Sequence, residues 1–563
     1  MTDSVNSVLR WETRGRMGSG SLPCGSAVPN GQDAWAGDRG VAFRTTDAGG
    51  TARAGVGPGG RRRARPLGLV DRCRTPPPPS APMDAQRGIA RRMVVGLPRE
   101  GLAPAWEKDF AAYPPAGVIL FARDFQDLEG LRRLTAHLRD LARPRRIFIA
   151  ADEEGGFVSQ LAGHLTVPPN AALLARGAEP GDVEWLARVT GERLRALGLD
   201  WAFAPVADIH SEPRNPVIGP RAWGTAPDAV AGAVAAMVRG LRAGGVATCL
   251  KHFPGHGDTV LDSHLALPRC DAPADRLAAR ELAPFRANLD ADAVMTAHVV
   301  YPGLDPERPA TFSRAIVHGL LRERLGFAGL AITDALEMKG AAQGREPLAA
   351  ARMSLEAGCD LLLYAFHDEA VRRLRLALAD ALVDGVIDRA NFDAARPRLA
   401  AFDHARPEPT AEDLARPLES LTPPDWEPRL ERIVERGLVT RGTLPPAAAA
   451  GPWRVQEPAF AHGPTLASEI AALGVPLAAG GTPALEVVAV MSRVPLTAME
   501  TERLRALARA RPVALIGLQS DAFLDDVPEA VLRISASDAT PLARRVVARA
   551  LAHQHRAALA ARA

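Results

Sequence analysis

Lys251-His-Phe-Pro-Gly-His-Gly-Asp258, followed by Asp262-Ser-His264 and Pro268, gathers an ammonium, imidazoles and carboxylates in one Gly- and Pro-rich stretch. A lysine and histidines can bind hydroxyl groups, and an imidazole moves protons near neutral pH. Asp262 and His264 are two residues apart, so on an extended loop they share a face. The carboxylate can then hold one ring nitrogen and fix the tautomer. A second segment, Gly329-Leu-Ala-Ile-Thr-Asp334-Ala-Leu-Glu-Met338, reads as a short buried strand ending on a carboxylate. Asp334 is placed there as a candidate nucleophile.

Such groups need a scaffold that aims them at one place. Each follows a short apolar run, and eight such runs alternate with helix-like segments between Met83 and about Arg406: Met93–Val95, Gly117–Phe121, Ile147–Ala150, Trp201–Val206, Val246–Leu250, Ala293–Ala297, Leu330–Thr333 and Asp360–Tyr364. This is the pattern of a (β/α)8 TIM-type barrel. Leucines at 128, 131, 134, 138 and 141 fall on one helical face and exemplify the intervening helices. Asp152, Asp208, Lys251, His252, His298 and Asp334 sit at or just past the C-terminal ends of different runs, the face on which barrels display their chemistry.

Together the motifs resemble glycoside hydrolase family 3, in particular its β-N-acetylhexosaminidase branch. Asp152-Glu-Glu-Gly-Gly156, Asn215-Pro-Val-Ile-Gly-Pro-Arg221, Met295-Thr-Ala-His298 and Pro309-Ala-Thr-Phe-Ser313 add to the likeness. The resemblance implies that Asp334 is the nucleophile of a retaining glycosidase, with Asp262 and His264 as its acid/base dyad. It further implies that Asp152, Arg221, Lys251 and His252 bind the sugar whose bond is cut. Gln160 stands where the family carries a second substrate-binding arginine, and this departure removes a charge from the expected pocket. The implied activity is hydrolysis of terminal β-linked N-acetylglucosamine from small saccharides, with peptidoglycan fragments in cell-wall recycling as the physiological substrate and no cofactor. The alternatives are a β-glucosidase, a phosphorylase using phosphate in place of water, or a saccharide-binding protein without turnover.

Each residue also has a plainer reading. Asp334 could cap the following helix, Asp152 and Arg221 could form a structural ion pair, and Asp208 and His298 are expected to brace neighbouring groups. The cluster His252, His256, Asp258, Asp262 and His264 lacks the helical His-Glu-x-x-His spacing, and Lys251 would repel a dication. No metal is expected.

The rest of the chain fits a soluble enzyme of several domains. It has 563 residues, 47% hydrophobic, and a net charge of +3, which argues for no nucleic-acid partner. Five cysteines without disulfide or metal spacing point to a reducing compartment, the cytoplasm. Residues 1–82 are rich in Gly, Arg and Pro and are expected to be a disordered extension. Their Gly55-Val-Gly57-Pro-Gly-Gly60 spells a dinucleotide pattern without the flanking strand and helix, and no signal-peptide or membrane segment is expected. The barrel is assigned to residues 83–403 and a Pro- and Glu-rich linker to residues 404–428. A smaller α/β layer domain is assigned to residues 429–563, with strands at Glu486–Met491, Pro512–Gly517 and Val531–Ile534. No sequence signal sets the oligomeric state.

Overall fold

The computed structural model describes residues 83–342 and 344–562. The expected extension, its glycine motif, Cys24 and Cys73 lie outside the described residues.

The eight apolar runs form eight strands: β1 Met93–Val95, β2 Gly117–Ile119, β3 Phe148–Ala151, β4 Trp201–Ala202, β5 Cys249–Phe253, β6 Ala293–Thr296, β7 Leu330–Ala335 and β8 Leu361–Tyr364. All pair in parallel, in the order β4-β3-β2-β1-β8-β7-β6-β5. Parallel bridges between Trp201 and Ala247 and between Val206 and Lys251 join the two ends and close the barrel. Both faces of such a sheet are covered, which is why the runs are continuously apolar. Across all eight strands every residue is buried except one, Asp334.

The expected helix over the spaced leucines is Leu128–Ala142, with Leu131 and Leu138 buried and Asp127 capping its start by accepting from Gly130 N. Helices Asp182–Ala196 and Pro227–Ala243 pack so closely that a Cβ on Gly240 would stand 2.3 Å from the Glu184 carbonyl. Phe402, on helix Arg396–Ala405, lies 4.5 Å from Phe148 and 4.8 Å from Trp201 between ring centroids. It plugs the end of the barrel where those strands begin, so only the opposite, C-terminal end is left open to chemistry.

A second sheet holds β9 Val439–Gly442, β10 Trp453–Gln456, β11 Leu485–Val490, β12 Val513–Gly517 and β13 Leu532–Ser535, in the order β9-β13-β12-β11-β10. The three strands expected from sequence are its centre, β11 to β13, and they run parallel; β9 adds an antiparallel edge. The described residues belong to one compact unit. The segment expected as a linker lies against the barrel. Arg406 binds Asp292 at 2.6 Å, and Arg195 donates to the carbonyls of Pro407 and Glu408. Trp426, opening helix Trp426–Gly437, is fully buried, donates to the Thr166 carbonyl at 2.8 Å and lies under the Arg193 guanidinium.

Candidate active site

Lys251 is the hub of the sugar-binding candidates. It lies on β5, buried, with Nζ 2.5 Å from Asp152 Oδ1 and 2.6 Å from Glu154 Oε1. Arg221, at the end of the turn that begins at Asn215, holds Glu154 through two parallel bonds of 2.8 Å each. Burial alone would raise the pKa of Glu154, but Arg221 and Lys251 outweigh it and hold it at about 2. The same carboxylates outweigh burial at Lys251 and keep it a cation. Asp152 and Arg221 therefore do not pair with each other; Glu154 stands between them. Asp152 and Glu154 are two residues apart and so share a face, while Glu153 turns the other way to accept from Ser159 Oγ and Gln160 N at 2.5 and 3.0 Å.

Gln160 is occupied with backbone. Its Oε1 accepts from Ala122 N at 2.8 Å and its Nε2 donates to the Asp152 carbonyl at 3.3 Å. It braces the loop that carries Asp152 and does not offer the charge of the arginine that the family pattern has there.

Asp208 organises the root of the histidine loop. Its carboxylate accepts from His252 N and His256 N and lies 2.7 Å from His252 Nδ1. Burial opposes this charge, but His252 outweighs it and lowers the pKa of Asp208. His256 is buried and its pKa is pushed by burial to about 4, so it is a neutral strut linking Thr259 Oγ1 at 3.0 Å to Ser263 Oγ at 3.1 Å. Asn215 ties this loop to the Arg221 turn: Nδ2 donates to the carbonyls of His256 and Gly257, and Oδ1 accepts from Val217 N and Ile218 N. Gly257 is needed there, since a Cβ would overlap the Ile209 carbonyl.

The loop so fixed presents Asp262 and His264 on either side of the held Ser263. His264 Nδ1 lies 2.7 Å from Asp262 Oδ1, and both side chains are partly exposed. Burial would raise the pKa of Asp262, but the bond to His264 lowers it on balance. The pair has the arrangement expected of an imidazole that gives and takes a proton under the control of a carboxylate.

Asp334 ends β7 with Oδ1 accepting from Ala335 N at 2.7 Å. Burial works against its charge, yet His252, His298 and His264 together overcome it and lower the pKa below the ordinary carboxylate range. His298 reaches Thr311 Oγ1 at 2.8 Å and the Ala335 carbonyl at 3.1 Å, and burial lowers its pKa. It braces the backbone next to Asp334, the supporting role expected of it. The histidines and aspartates considered for a metal are engaged elsewhere, Asp258 with Arg280 at 2.6 Å for example. Among the described residues no three such side chains form a metal-holding group.

Sequence reasoning missed two participants. Glu154 carried a legible signal, its two-residue spacing from Asp152. Asn170 carried none: its Oδ1 accepts from Phe157 N at 3.2 Å while its Nδ2 donates to Ser537 O, just past β13 of the distant second sheet.

Residues 98–402 match the glycosyl hydrolase family 3 N-terminal domain, and the chain belongs to that family of glycoside hydrolases. It is 41% identical over 268 residues to a β-hexosaminidase of Neisseria gonorrhoeae, covering 46% of this chain and 73% of that one. It is 34% identical over 327 residues to β-hexosaminidase A of Pseudoalteromonas piscicida, covering 53% of this chain and 55% of that one. The solved family 3 β-N-acetylglucosaminidase of Paenibacillus sp. str. FPU-7 superposes with a TM-score of 0.73 at 28% identity, over 83% of this chain and 96% of its own.

Proposed function

We propose that the protein removes terminal β-linked N-acetylglucosamine from small saccharides with retention, through a glycosyl-enzyme on Asp334 and with Asp262 and His264 as the acid/base dyad. The observation that carries this reading is the isolation of Asp334: it is the only strand residue of the barrel left accessible, and surrounding histidines keep it ionised. In the first step a carboxylate oxygen attacks the anomeric carbon while His264, as imidazolium, gives its proton to the departing oxygen. In the second the neutral imidazole takes a proton from water, which displaces Asp334. Lys251, Asp152 and Arg221 with Glu154 grip the sugar's hydroxyls, and His252, steadied by Asp208, completes that grip.

The naming of similar proteins as β-hexosaminidases and a β-N-acetylglucosaminidase supports the sugar. Peptidoglycan fragments in cell-wall recycling are the substrate we assign. No described helix is long and apolar enough to cross a membrane. The three described cysteines are buried free thiols, which supports a cytoplasmic setting. The deciding experiment compares chromogenic β-N-acetylglucosaminide with β-glucoside, with and without phosphate, and follows the anomer released. Preference for the first, no dependence on phosphate and a β product are expected. Preference for glucoside, a phosphorylated product or an inverted anomer would overturn the assignment.

A further inference from the structure

Arg493 follows β11 of the second sheet, yet it lies over the mouth of the barrel. Its guanidinium carbon stands 4.5 Å from the centre of the Phe157 ring, on the loop that begins with Asp152. Its Nη1 makes one long contact, 3.5 Å, with the Pro216 carbonyl in the turn that carries Arg221. Its own carbonyl is 3.5 Å from where a Cβ on Gly219 would sit, so this segment covers that turn. The charges that act on Arg493 are Arg221 and Asp262, the sugar-binding arginine and the carboxylate of the dyad.

The cation is poorly satisfied. Among the described residues Arg493 makes no ion pair with a carboxylate, and a guanidinium has several donors to direct. Arg221 differs, because its Nε and Nη2 are taken by Glu154 and its Nη1 by the Val217 carbonyl. A half-buried guanidinium seated over an aromatic ring, short of acceptors and against the turn that carries Arg221, is suited to an oxyanion from the ligand. Its contact at Pro216 adjoins Asn215, which bonds His256 and Thr259 of the loop that carries Asp262, so that oxyanion is assigned to the side of the departing group. Gln160 supplies no charge to the pocket, so this is a cation from outside the barrel.

We propose that Arg493 is a substrate-binding residue supplied by the second sheet, and that it takes a carboxylate carried by the sugar on the leaving side of the bond. The inference rests on the N-acetylglucosamine reading and adds to it what the leaving sugar must carry.

The test compares two substrates that differ in that carboxylate: chitobiose, which lacks it, and N-acetylglucosamine β-linked to N-acetylmuramic acid, which has it on a lactyl ether. Arg493→Met is expected to lose about 10- to 100-fold in kcat/KM on the acidic disaccharide, mostly through KM, and to stay within about 2-fold on chitobiose. Arg493→Lys keeps the charge without the planar fork and is expected to fall between wild type and Arg493→Met; it also serves if the methionine variant fails to fold. An equal loss on both disaccharides, or no loss on either, overturns the role of Arg493. Failure of the sugar assignment is distinguishable, because the wild-type protein would then leave chitobiose uncut.

Discussion

Asn170 N donates to Asp538 Oδ2 at 2.6 Å, joining the barrel loop that follows Asp152 to the segment after the second sheet's β13. The side chain of Asn170 extends the join, reaching the Ser537 carbonyl at 2.9 Å and accepting from Phe157 N. Gly156 beside it has φ of +58° and a Cβ there would collide with the Asn170 side chain. Asn170→Ala is therefore expected to cost about 1–3 kcal/mol of stability and to raise KM for the glycoside while retaining the fold. Denaturant unfolding and steady-state kinetics check it, and unchanged KM would show that the join does not position the loop.

Asp334→Ala is expected to reduce turnover by at least about 1000-fold while changing stability by less than about 1 kcal/mol, because the covalent route is lost and no core packing is removed. Wild-type turnover, or a variant that unfolds, would count against Asp334 as nucleophile.

The dyad is read from leaving groups. In single-turnover measurements His264→Ala should slow glycosylation about 100- to 10,000-fold with poor leaving groups and much less with activated aryl ones, which need little protonation. Asp262→Ala should act in the same direction and less strongly. Equal losses across the series would remove His264 from the role of acid.

Glu153 gives a pH test. Burial raises its pKa from 4.5 to about 7, so the folded state keeps a proton that the unfolded chain releases within that window. Stability then falls as pH rises through the window, by up to about 3 kcal/mol from this group. Glu153→Gln mimics the protonated form and should be close to wild type at about pH 4.5 and more stable at about pH 8. Melting curves at the two pH values measure it; a gain that is equal at both would mean that Glu153 does not titrate in this range.

The barrel was legible because burial on both faces leaves a continuous apolar run, and all eight runs became strands. Asp334 stood out as the charged end of one. The second sheet was read only at its centre. Its edges, Val439-Thr-Arg-Gly and Trp453-Arg-Val-Gln, are half exposed, and their polar residues hide the strand pattern. Two adjacent glutamates concealed Glu154, since only strand alternation tells which one turns toward Lys251. Spacing singled out Gln160, but the direction of its side chain depends on Ala122 N, a partner that no local pattern specifies. Asn170 and Arg493 act across elements remote in sequence, where periodicity says nothing.

The burial of Trp426 limits how the chain can be divided. The indole fills a place against Trp185, while Arg429, on the same helix, binds Asp182 at 2.6 Å. A barrel cut free after residue 403 would meet water with that apolar seat bare and with Asp182 without Arg429, and losing a buried tryptophan alone costs about 3–5 kcal/mol. Trimming to the family module is therefore expected to destabilise the barrel unless those surfaces are first redesigned for solvent, as if an internal wall were to become a façade.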